Sequence, residues 1–329
     1  MRALVTGATG FVGSHVVDVL LERGFDISYI ARKSSNHRWM DGKKAVLVEG
    51  SLHDLESLHK AMDGVDIVIH VAGQIAGKDE NDFYRGNVGV TKNLLDAVRA
   101  YRPQLSRFVH VSSLAVTGPA PSLDRPVNEE TPLRPLTAYG RTKKLAEDEV
   151  RLAMKEFPAT IVRPPAVFGP RDAAIVTFFQ SVNRGLAPLI GLDDKYLNLI
   201  HIRDLARGIV DAATKSVAAN QTYFISSDEV YTWSQVANIA GAVTGRRRVI
   251  KLRIPDTLVL GIAGMSGFFG KMFMSEPPVL NYEKGIDFIQ KYWICSNTKA
   301  HKDLGYRQEV SIEEGVLETM TWYREEGWL

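Results

Sequence analysis

A glycine-rich turn between an apolar strand and a helix constrains this 329-residue chain more than any other feature. Apolar residues 3–5 enter the turn, and a helical apolar pattern begins at Val16. Between them stand Gly7, Gly10 and Gly13, whose spacing lets the backbone turn tightly, approach a pyrophosphate and pack a helix against a strand. The free amides of the helix then face the phosphates, with the positive end of the helix dipole behind them. The sequence therefore predicts a dinucleotide site rather than an ordinary surface turn.

Short apolar runs typical of strands alternate with patterns typical of helices along the first half of the chain. The predicted strands are 3–5, 27–30, 45–48, 67–71, 108–111 and 160–162, and the predicted helices are 14–23, 55–62, 91–101 and 139–156. This alternation predicts an α/β fold, a doubly wound parallel sheet of the Rossmann type. Past residue 165 the pattern loosens into predicted helices at 174–184, 204–214, 233–244 and 312–325 and a strand near 222–225. We expect residues 1–165 to form the dinucleotide-binding core, and 166–329 to add to the sheet and form a smaller C-terminal substrate lobe.

The composition argues against several classes of function. The net charge is +2, so no broad basic surface for nucleic acid is expected. Cys295 is the single cysteine, which suits a reducing compartment, and the chain starts with a strand instead of a leader peptide, so we expect a cytoplasmic location. Histidines 70, 110 and 201 lack the spacing of metal ligands, so no metal is expected and they are interpreted as core or edge residues. The acidic runs 129–130 and 147–149 are interpreted as solvated charge.

One apolar stretch, residues 258–274, is short for a membrane-spanning helix and carries four glycines and a lysine. No transmembrane segment is therefore expected. The favoured interpretation is a helix packed on the substrate side of the fold. The alternative is an apolar lid, or a weak contact with a membrane surface near an apolar substrate.

A tyrosine and a lysine one helical turn apart form the candidate catalytic pair. Tyr139 and Lys143 share a helix face, and an ammonium beside a phenol is expected to lower the phenol pKa, which makes Tyr139 a candidate general acid or base. Ser112 and Ser113 end a predicted strand, at the edge where an open parallel sheet binds its ligands. The Ser113 hydroxyl can there donate a hydrogen bond to a substrate oxygen on which charge develops.

These motifs together resemble the extended short-chain dehydrogenases/reductases, the NAD-dependent epimerase/dehydratase superfamily, over nearly the whole chain. The matching segments are residues 6–13, 70–73, 87–95, 111–113, 139–143 and 163–170. Within the superfamily the chain looks nearest to enzymes similar to dihydroflavonol reductase and 3β-hydroxysteroid dehydrogenase. The resemblance implies a catalytic set of Ser113, Tyr139 and Lys143, in which Tyr139 is the acid/base and Lys143 binds the nicotinamide ribose and tunes Tyr139. It implies that Ser113, rather than Ser112, orients the substrate carbonyl.

The resemblance also implies which residues surround the cofactor and how the chain assembles. The cofactor-binding residues implied are Gly7, Thr9, Gly10, Phe11, Val12 and Gly13 of the turn, Ala72 and Gly73 under the adenosine and ribose, Asn87 behind the site, Tyr139 and Lys143, and Pro164 and Val167 against the nicotinamide. Related enzymes dimerise through the helices that correspond to 91–101 and 144–156. A homodimer is therefore expected by analogy.

The end of the second predicted strand sets the choice of cofactor. An acidic residue there binds the ribose 2′-hydroxyl of NAD, whereas an arginine accommodates the 2′-phosphate of NADP. This chain has Arg32 and Lys33 at that point and no carboxylate. Arg32 can stack on adenine and clamp phosphate, and Lys33 adds a point charge. We therefore expect NADP, with NAD less favoured and a merely solvated basic loop as the alternative.

Departures from the superfamily pattern favour an apolar substrate. Nucleotide-sugar members usually hold a diphosphate with two arginines, but this chain has Leu197 at the first position and the apolar, aromatic stretch 291–300 around the second. Arg203, or the run 246–248, can substitute for them. The 258–274 stretch and Trp293 fit a pocket for a ring system or a lipid-like ketone.

The sequence thus predicts an NADP(H)-dependent oxidoreductase that interconverts a carbonyl and a secondary alcohol on a largely apolar small molecule. One alternative is a nucleotide-sugar epimerase or dehydratase in which bound NAD(P) stores the hydride transiently. A second is a non-catalytic protein that senses NAD(P). The presence of Ser113, Tyr139 and Lys143 argues against a sensor, which needs no such set.

Overall fold

A seven-stranded parallel sheet is the centre of the fold, in a computed structural model that describes residues 1–246, 248–273 and 282–329. The strands of the described chain are β1 (Arg2–Thr6), β2 (Asp26–Ala31), β3 (Ala45–Glu49), β4 (Ile67–His70), β5 (Arg107–Val111), β6 (Ala159–Arg163), β7 (Ala166–Phe168), β8 (Leu186–Ile190), β9 (Tyr196–Leu197), β10 (Leu199–His201), β11 (Gln221–Phe224), β12 (Tyr231–Thr232), β13 (Ile250–Ile254) and β14 (Tyr292–Trp293). The central sheet has the order β11-β6-β5-β4-β1-β2-β3. The order reverses between β1 and β4, so a crevice opens beyond the carboxyl ends of these two strands.

Helices cover both faces of this sheet, which confirms the predicted doubly wound Rossmann architecture. They are α1 (Phe11–Glu22), α2 (Leu55–Ala61), α3 (Glu80–Phe83), α4 (Val90–Tyr101), α5 (Ala138–Ala153), α6 (Val176–Asn183), α7 (Ile202–Thr214), α8 (Trp233–Val243), α9 (Asp256–Phe273), α10 (Tyr282–Ile289), α11 (Thr298–Leu304) and α12 (Ile312–Glu325). One buried cluster joins the sheet to α1 and α7, and a second joins its other face to α2, α4 and α5. The β1 residues Ala3, Leu4 and Val5 are fully buried because they lie between these two layers.

The second half of the chain contributes β11 to the sheet and builds several small sheets beside it. Strands β8 and β13 pair in parallel, β7 pairs with β10, and β9 lies between β12 and β14. A third buried cluster, centred on Phe179, Val236 and Met320, fills the space between α6, α8 and α12. The apolar stretch 258–274 is helical as far as Phe273, and Met274 lies outside the described residues. The helix that it forms, α9, packs against α10. No helix within the described ranges is long and apolar enough to cross a membrane.

Most sequence-based boundaries lie within two or three residues of the observed ones, but one residue in each of two acidic runs was interpreted wrongly. Glu147 is fully buried rather than solvated. Glu129 is half-buried, and its carboxylate accepts a hydrogen bond of 2.9 Å from the backbone N–H of Phe224. Both interpretations failed because a charged side chain can be buried when a partner from another element satisfies it, and the local sequence does not contain that partner.

Candidate active site

The turn after β1 has the close backbone contacts that its glycines predict. Gly7 has φ +71°, and a Cβ there would lie 2.8 Å from the backbone nitrogen of Ala72. A Cβ on Gly13 would lie 2.1 Å from the carbonyl oxygen of Gly7, so only glycine lets α1 approach β1 this closely. Gly10 begins α1 without a side-chain cap, and the part-exposed residues Thr9, Phe11 and Val12 surround it. The first-turn amides of α1 therefore form a cradle that fits a pyrophosphate.

The end of β2 lies next to this turn, because β2 pairs with β1. Arg32 and Lys33 follow β2 directly, and both side chains are exposed. The Arg32 carbonyl accepts a hydrogen bond of 2.9 Å from the Ser35 amide, which turns the chain back at this point. The structure therefore places two cations near the glycine turn.

The loop after β4 is held against the catalytic helix by Asn87. The Asn87 amide oxygen accepts a bond of 2.8 Å from the backbone N–H of Gln74, and its Nδ2 donates to Thr142 Oγ1 on α5 at 3.1 Å. A Cβ built on Gly73 would lie 3.6 Å from Lys143 Nζ. The amide of Ala72, the other predicted loop residue, is anchored to β1 by a 3.2 Å bond to Thr6 Oγ1. The predicted loop thus reaches both the glycine turn and the catalytic helix.

Ser113, Tyr139 and Lys143 are brought together at the carboxyl end of β5. The Tyr139 phenol is hydrogen-bonded to the Ser113 side chain. Lys143 Nζ donates a bond of 2.7 Å to the carbonyl oxygen of Val111, the last residue of β5. The predicted i, i+4 pair therefore shares one face of α5, as its spacing requires.

The protonation of this pair differs from the sequence-based expectation. Burial raises the pKa of Tyr139, although the hydrogen bond from Ser113 partly opposes that rise. The predicted lowering of this pKa by Lys143 was wrong for this structure, in which the ammonium is directed to Val111. Burial also lowers the pKa of Lys143 to about 8, against the attraction of Glu147. Desolvation thus outweighs the hydrogen bond of Ser113 at Tyr139 and the charge of Glu147 at Lys143.

A buried ion pair lies directly behind Lys143, and the sequence analysis missed it. Arg163 on β6 donates two hydrogen bonds to Glu147, from Nε at 2.9 Å and from Nη2 at 2.7 Å, and neither side chain is exposed to solvent. The Ser112 side chain also faces the Glu147 carboxylate. The two serines are therefore distinguished, because the Ser113 hydroxyl faces Tyr139. The signal for Glu147 was its position, one further turn along the helix face of Tyr139 and Lys143.

Two carboxylates of α10 reach the N-terminus of α5, and no sequence pattern indicated them. Glu283 accepts a bond of 2.7 Å from the Ala138 amide, and Asp287 accepts one of 3.4 Å from Thr137 Oγ1. Burial, together with the negative charge of nearby Glu283, raises the pKa of Asp287 to about 7 against the opposing hydrogen bond from Thr137. The charge of Asp287 in turn raises the pKa of Tyr139. Helix α10 therefore places a titrating carboxyl beside the candidate acid/base.

The segment after β6 lies next to the catalytic serine. The carbonyl of Pro164 accepts a hydrogen bond of 2.8 Å from the Leu114 amide, the residue after Ser113. Val167 lies half-buried in β7. Pro164 thus lies next to Ser113, and its contact with the nicotinamide stays a prediction.

The arginines that were considered as diphosphate ligands are engaged elsewhere. Arg203 pairs with Glu318 at 3.0 Å, and Arg246 Nε donates to the carbonyl of Asn183 at 2.7 Å. Arg247 lies outside the described residues. Leu197 is 5% exposed and belongs to the core of the lobe. Neither described contact brings an arginine to Ser113 or Tyr139.

The histidines are core residues, as predicted. Histidines 70, 110 and 201 are 1%, 1% and 2% exposed. His70 links β1 to α4 by bonds of 2.7 Å to Thr6 Oγ1 and 3.0 Å to Thr91 Oγ1. Among the residues that the structure describes, no group of three or more His, Cys, Asp and Glu side chains is arranged to hold a metal ion.

Comparison with known proteins gives a family, related enzymes and a similar fold. A sequence model of the NAD dependent epimerase/dehydratase family matches residues 3–226. The chain is 28% identical to a ceramide reductase of Caulobacter vibrioides over 326 residues, which cover 99% of this chain and 95% of the relative. It is 30% identical to a 2-alkyl-3-oxoalkanoate reductase of Shewanella oneidensis over 339 residues, which cover 96% and 84%. The fold is similar to that of the UDP-glucose 4-epimerase of Thermotoga maritima, with a TM-score of 0.81 at 23% identity over 99% of each chain.

Proposed function

The chain belongs to the NAD-dependent epimerase/dehydratase family, and from that premise we propose an NADP(H)-dependent oxidoreductase that interconverts a carbonyl and a secondary alcohol on a largely apolar small molecule. That the protein is an NAD(P)-dependent oxidoreductase follows from its family and its reductase relatives. The observation that carries the finer proposal is the convergence of Ser113, Tyr139 and Lys143 beside the glycine turn, while Arg203 and Arg246 have partners elsewhere.

The residues divide the chemistry between them. When bound, a nicotinamide cofactor would supply the hydride for reduction of the carbonyl, or accept the hydride in oxidation of the alcohol. In reduction, Tyr139 gives its phenolic proton to the substrate oxygen, and in oxidation its phenolate takes that proton back. The Ser113 hydroxyl donates a hydrogen bond to the same oxygen and stabilises the charge that develops there. With a pKa of about 8, Lys143 is mostly an ammonium at neutral pH, and we assign it the binding of the nicotinamide ribose.

Arg32 and Lys33 support the proposed preference for NADP. A hydrogen bond to a charged group contributes roughly 1.5–3 kcal/mol, which corresponds to about a 10- to 100-fold change in affinity. Arg32→Ala is expected to raise the Kd for NADPH by that factor relative to the Kd for NADH, because the adenine is common to both cofactors and only NADPH carries the 2′-phosphate. The matched control is Lys44→Ala, which removes an exposed cation from the loop between β2 and β3. Equal weakening of both cofactors by Arg32→Ala would remove the argument for NADP.

The apolar character of the substrate is inferred from the lobe that faces the catalytic residues. Helix α10 contacts α5 at Thr137 and Ala138 and leads to Trp293, whose indole N–H donates to the Asp287 carbonyl at 2.8 Å. Trp293 also packs against buried residues of the lobe, including Leu197. The names of two relatives, a ceramide reductase and an oxoalkanoate reductase, point to lipid-like substrates and agree with this inference.

A thermal-shift measurement separates this proposal from its main competitor. A ligand that binds the native state raises the melting temperature by mass action. We expect a shift with NADPH, a smaller one with NADH, and no further shift when UDP or dTDP is added to the NADPH complex. A clear extra shift with either nucleotide diphosphate would favour a nucleotide-sugar epimerase or dehydratase. An NADPH shift followed by turnover of apolar ketones would support the proposal.

We also infer a homodimer that forms through α4 and α5. Three apolar side chains on these helices are exposed by 41–55%: Tyr101, Leu145 and Leu152. Exposed apolar groups on neighbouring helices are typical of a helical interface. Leu152→Glu is expected to shift the protein from dimer to monomer in analytical ultracentrifugation, and a wild type that is already monomeric would contradict the inference.

A further inference from the structure

The paired strands β8 and β13 present an aliphatic face to solvent. The register places Leu186 beside Ile250 and Pro188 beside Leu252, and all four side chains are exposed. Leu186, Ile250 and Leu252 are 48%, 67% and 57% exposed, whereas Ala187 and Leu189, on the other face of β8, are buried. We call Leu186, Pro188, Ile250 and Leu252 the β8–β13 face. Neighbouring apolar side chains exposed in this way are typical of a binding surface.

The sequence around the β8–β13 face is basic at the end where Leu186 and Ile250 begin, whereas at the other end Arg253 pairs with Asp194 at 2.6 Å. Residues 173–192 and 230–255 contain no aspartate or glutamate, but they contain five arginines and a lysine. Of these, Arg184, Arg246, Arg248 and Lys251 are exposed. Arg246 lies against the turn between α6 and β8, because its Nε donates a hydrogen bond to the carbonyl oxygen of Asn183. Its Nη1 would lie 3.3 Å from a Cβ built on Gly185. The arginines therefore collect at the end of the strand pair where Leu186 and Ile250 begin.

We propose that the β8–β13 face binds the surface of an anionic phospholipid membrane. Aliphatic side chains flanked by arginine and lysine are complementary to such a surface, since the apolar groups enter the acyl boundary while the cations meet the phosphates. The proposal goes beyond the enzymatic activity and does not depend on it. It also differs from a contact through 258–274, because the exposed aliphatic pairs here lie on strands.

Two alternatives to membrane binding explain less of the aliphatic pairs and the surrounding cations. One is a contact between two copies of the chain, and the other is protection of an edge strand. In a symmetric contact with a second copy, Arg248 and Lys251 would come close to their own counterparts and repel them. Protection of an edge strand from aggregation accounts for Lys251, which lies on β13. It does not account for Arg184 and Arg246, which lie outside both strands. A membrane surface accounts for the aliphatic pairs and for all the cations together.

Flotation with lipid vesicles tests the proposal on the full chain. Vesicles of phosphatidylcholine alone are compared with vesicles that also contain phosphatidylglycerol, at low and high salt. We expect binding to the anionic vesicles that weakens with salt, because screening acts on the cationic contribution. Ile250→Glu/Leu252→Glu should lower the partition coefficient at least about tenfold, since it removes apolar area and adds like charge. Its matched control is Val46→Glu/Leu55→Glu, at residues of β3 and α2 that are 66% and 62% exposed.

A second pair of variants isolates the charge contribution. Arg248→Glu/Lys251→Glu should lower binding by about two orders of magnitude, whereas Lys155→Glu/Lys302→Glu, with the same change in net charge at exposed sites, should bind like wild type. An unchanged melting shift with NADPH verifies that each variant is folded. No binding to anionic vesicles would overturn the proposal, as would equal loss in a variant and its control. Self-association that Ile250→Glu/Leu252→Glu abolishes, without any vesicle binding, would assign the face to a second copy instead.

Discussion

Replacing Glu147 by glutamine tests how the buried ion pair supports the catalytic lysine. The variant keeps the shape of the side chain but leaves the Arg163 guanidinium buried without its carboxylate. Breaking a buried pair by neutralising one partner costs about 3–5 kcal/mol, whereas a partly exposed pair contributes about 0–1 kcal/mol. We therefore expect Glu147→Gln to lower the free energy of unfolding by about 3–5 kcal/mol. Glu149 lies on the same helix as Glu147 and forms a part-exposed pair with Lys92 of α4. Glu149→Gln should therefore lower the free energy of unfolding by less than about 1 kcal/mol.

The same substitution also changes the charge of Lys143. The Glu147 carboxylate raises the pKa of Lys143, which burial lowers to about 8, so its removal moves that pKa further down. The ammonium assigned to the nicotinamide ribose is then lost at lower pH, and the alkaline limb of kcat/KM should shift to lower pH.

Denaturant unfolding and pH–rate profiles measure the two effects separately. The double variant Glu147→Leu/Arg163→Met is the control, because it replaces both charges by apolar groups. Its free energy of unfolding should be close to that of wild type, whereas its pH–rate profile should remain shifted. Stability within about 1 kcal/mol of wild type for Glu147→Gln would refute the argument about burial. A pH profile identical to that of Glu149→Gln would refute the argument about Lys143.

Two further predictions concern the glycine turn and the carboxyl of α10. Gly13→Ala forces a Cβ onto the Gly7 carbonyl. It should weaken NADPH binding at least about tenfold, as measured by equilibrium fluorescence. In the control Gly261→Ala the new Cβ meets no atom within 4 Å, so this substitution should stabilise α9 by up to about 1 kcal/mol. Asp287 binds a proton more tightly in the folded state, so its contribution to stability, about 1–3 kcal/mol, is present at low pH and is lost as pH rises from about 4 to 7. Asp287→Asn should abolish this pH dependence of the free energy of unfolding, measured by denaturant titration from about pH 4 to 7, and the control Asp193→Asn should retain it. A pH dependence that Asp287→Asn leaves unchanged would contradict the assignment to Asp287.

Local patterns were sufficient to predict the sheet and the glycine turn. The strand periodicity and the spacing of Gly7, Gly10 and Gly13 depend on neighbouring residues, so they can be read without tertiary information. The i, i+4 spacing of Tyr139 and Lys143 is equally local, and the structure places both on one face of α5. These features fix where the site lies.

The electrostatics of the site could not be predicted in the same way, because they depend on burial and on distant partners. Glu147 was interpreted as solvated because its own run is acidic, but Arg163 on β6 satisfies it inside the fold. Asp287 reaches the start of α5 from near the other end of the chain, and it raises the pKa of Tyr139. The expected direction of that pKa shift was wrong because desolvation, which no sequence pattern reports, raises the pKa, and because the Lys143 ammonium is directed to Val111.

Turnover and cofactor binding of Tyr139→Phe, measured together, test the proposed mechanism most directly. The oxidation of NADPH with a panel of apolar ketones is followed for wild type and variant, and the Kd for NADPH is determined for both. The account predicts that kcat falls by about 10²–10⁴-fold while the Kd for NADPH changes by less than about twofold, because only the proton donor is removed. Turnover that survives in Tyr139→Phe, or that is lost only together with NADPH binding, would contradict the role of Tyr139 as the acid/base.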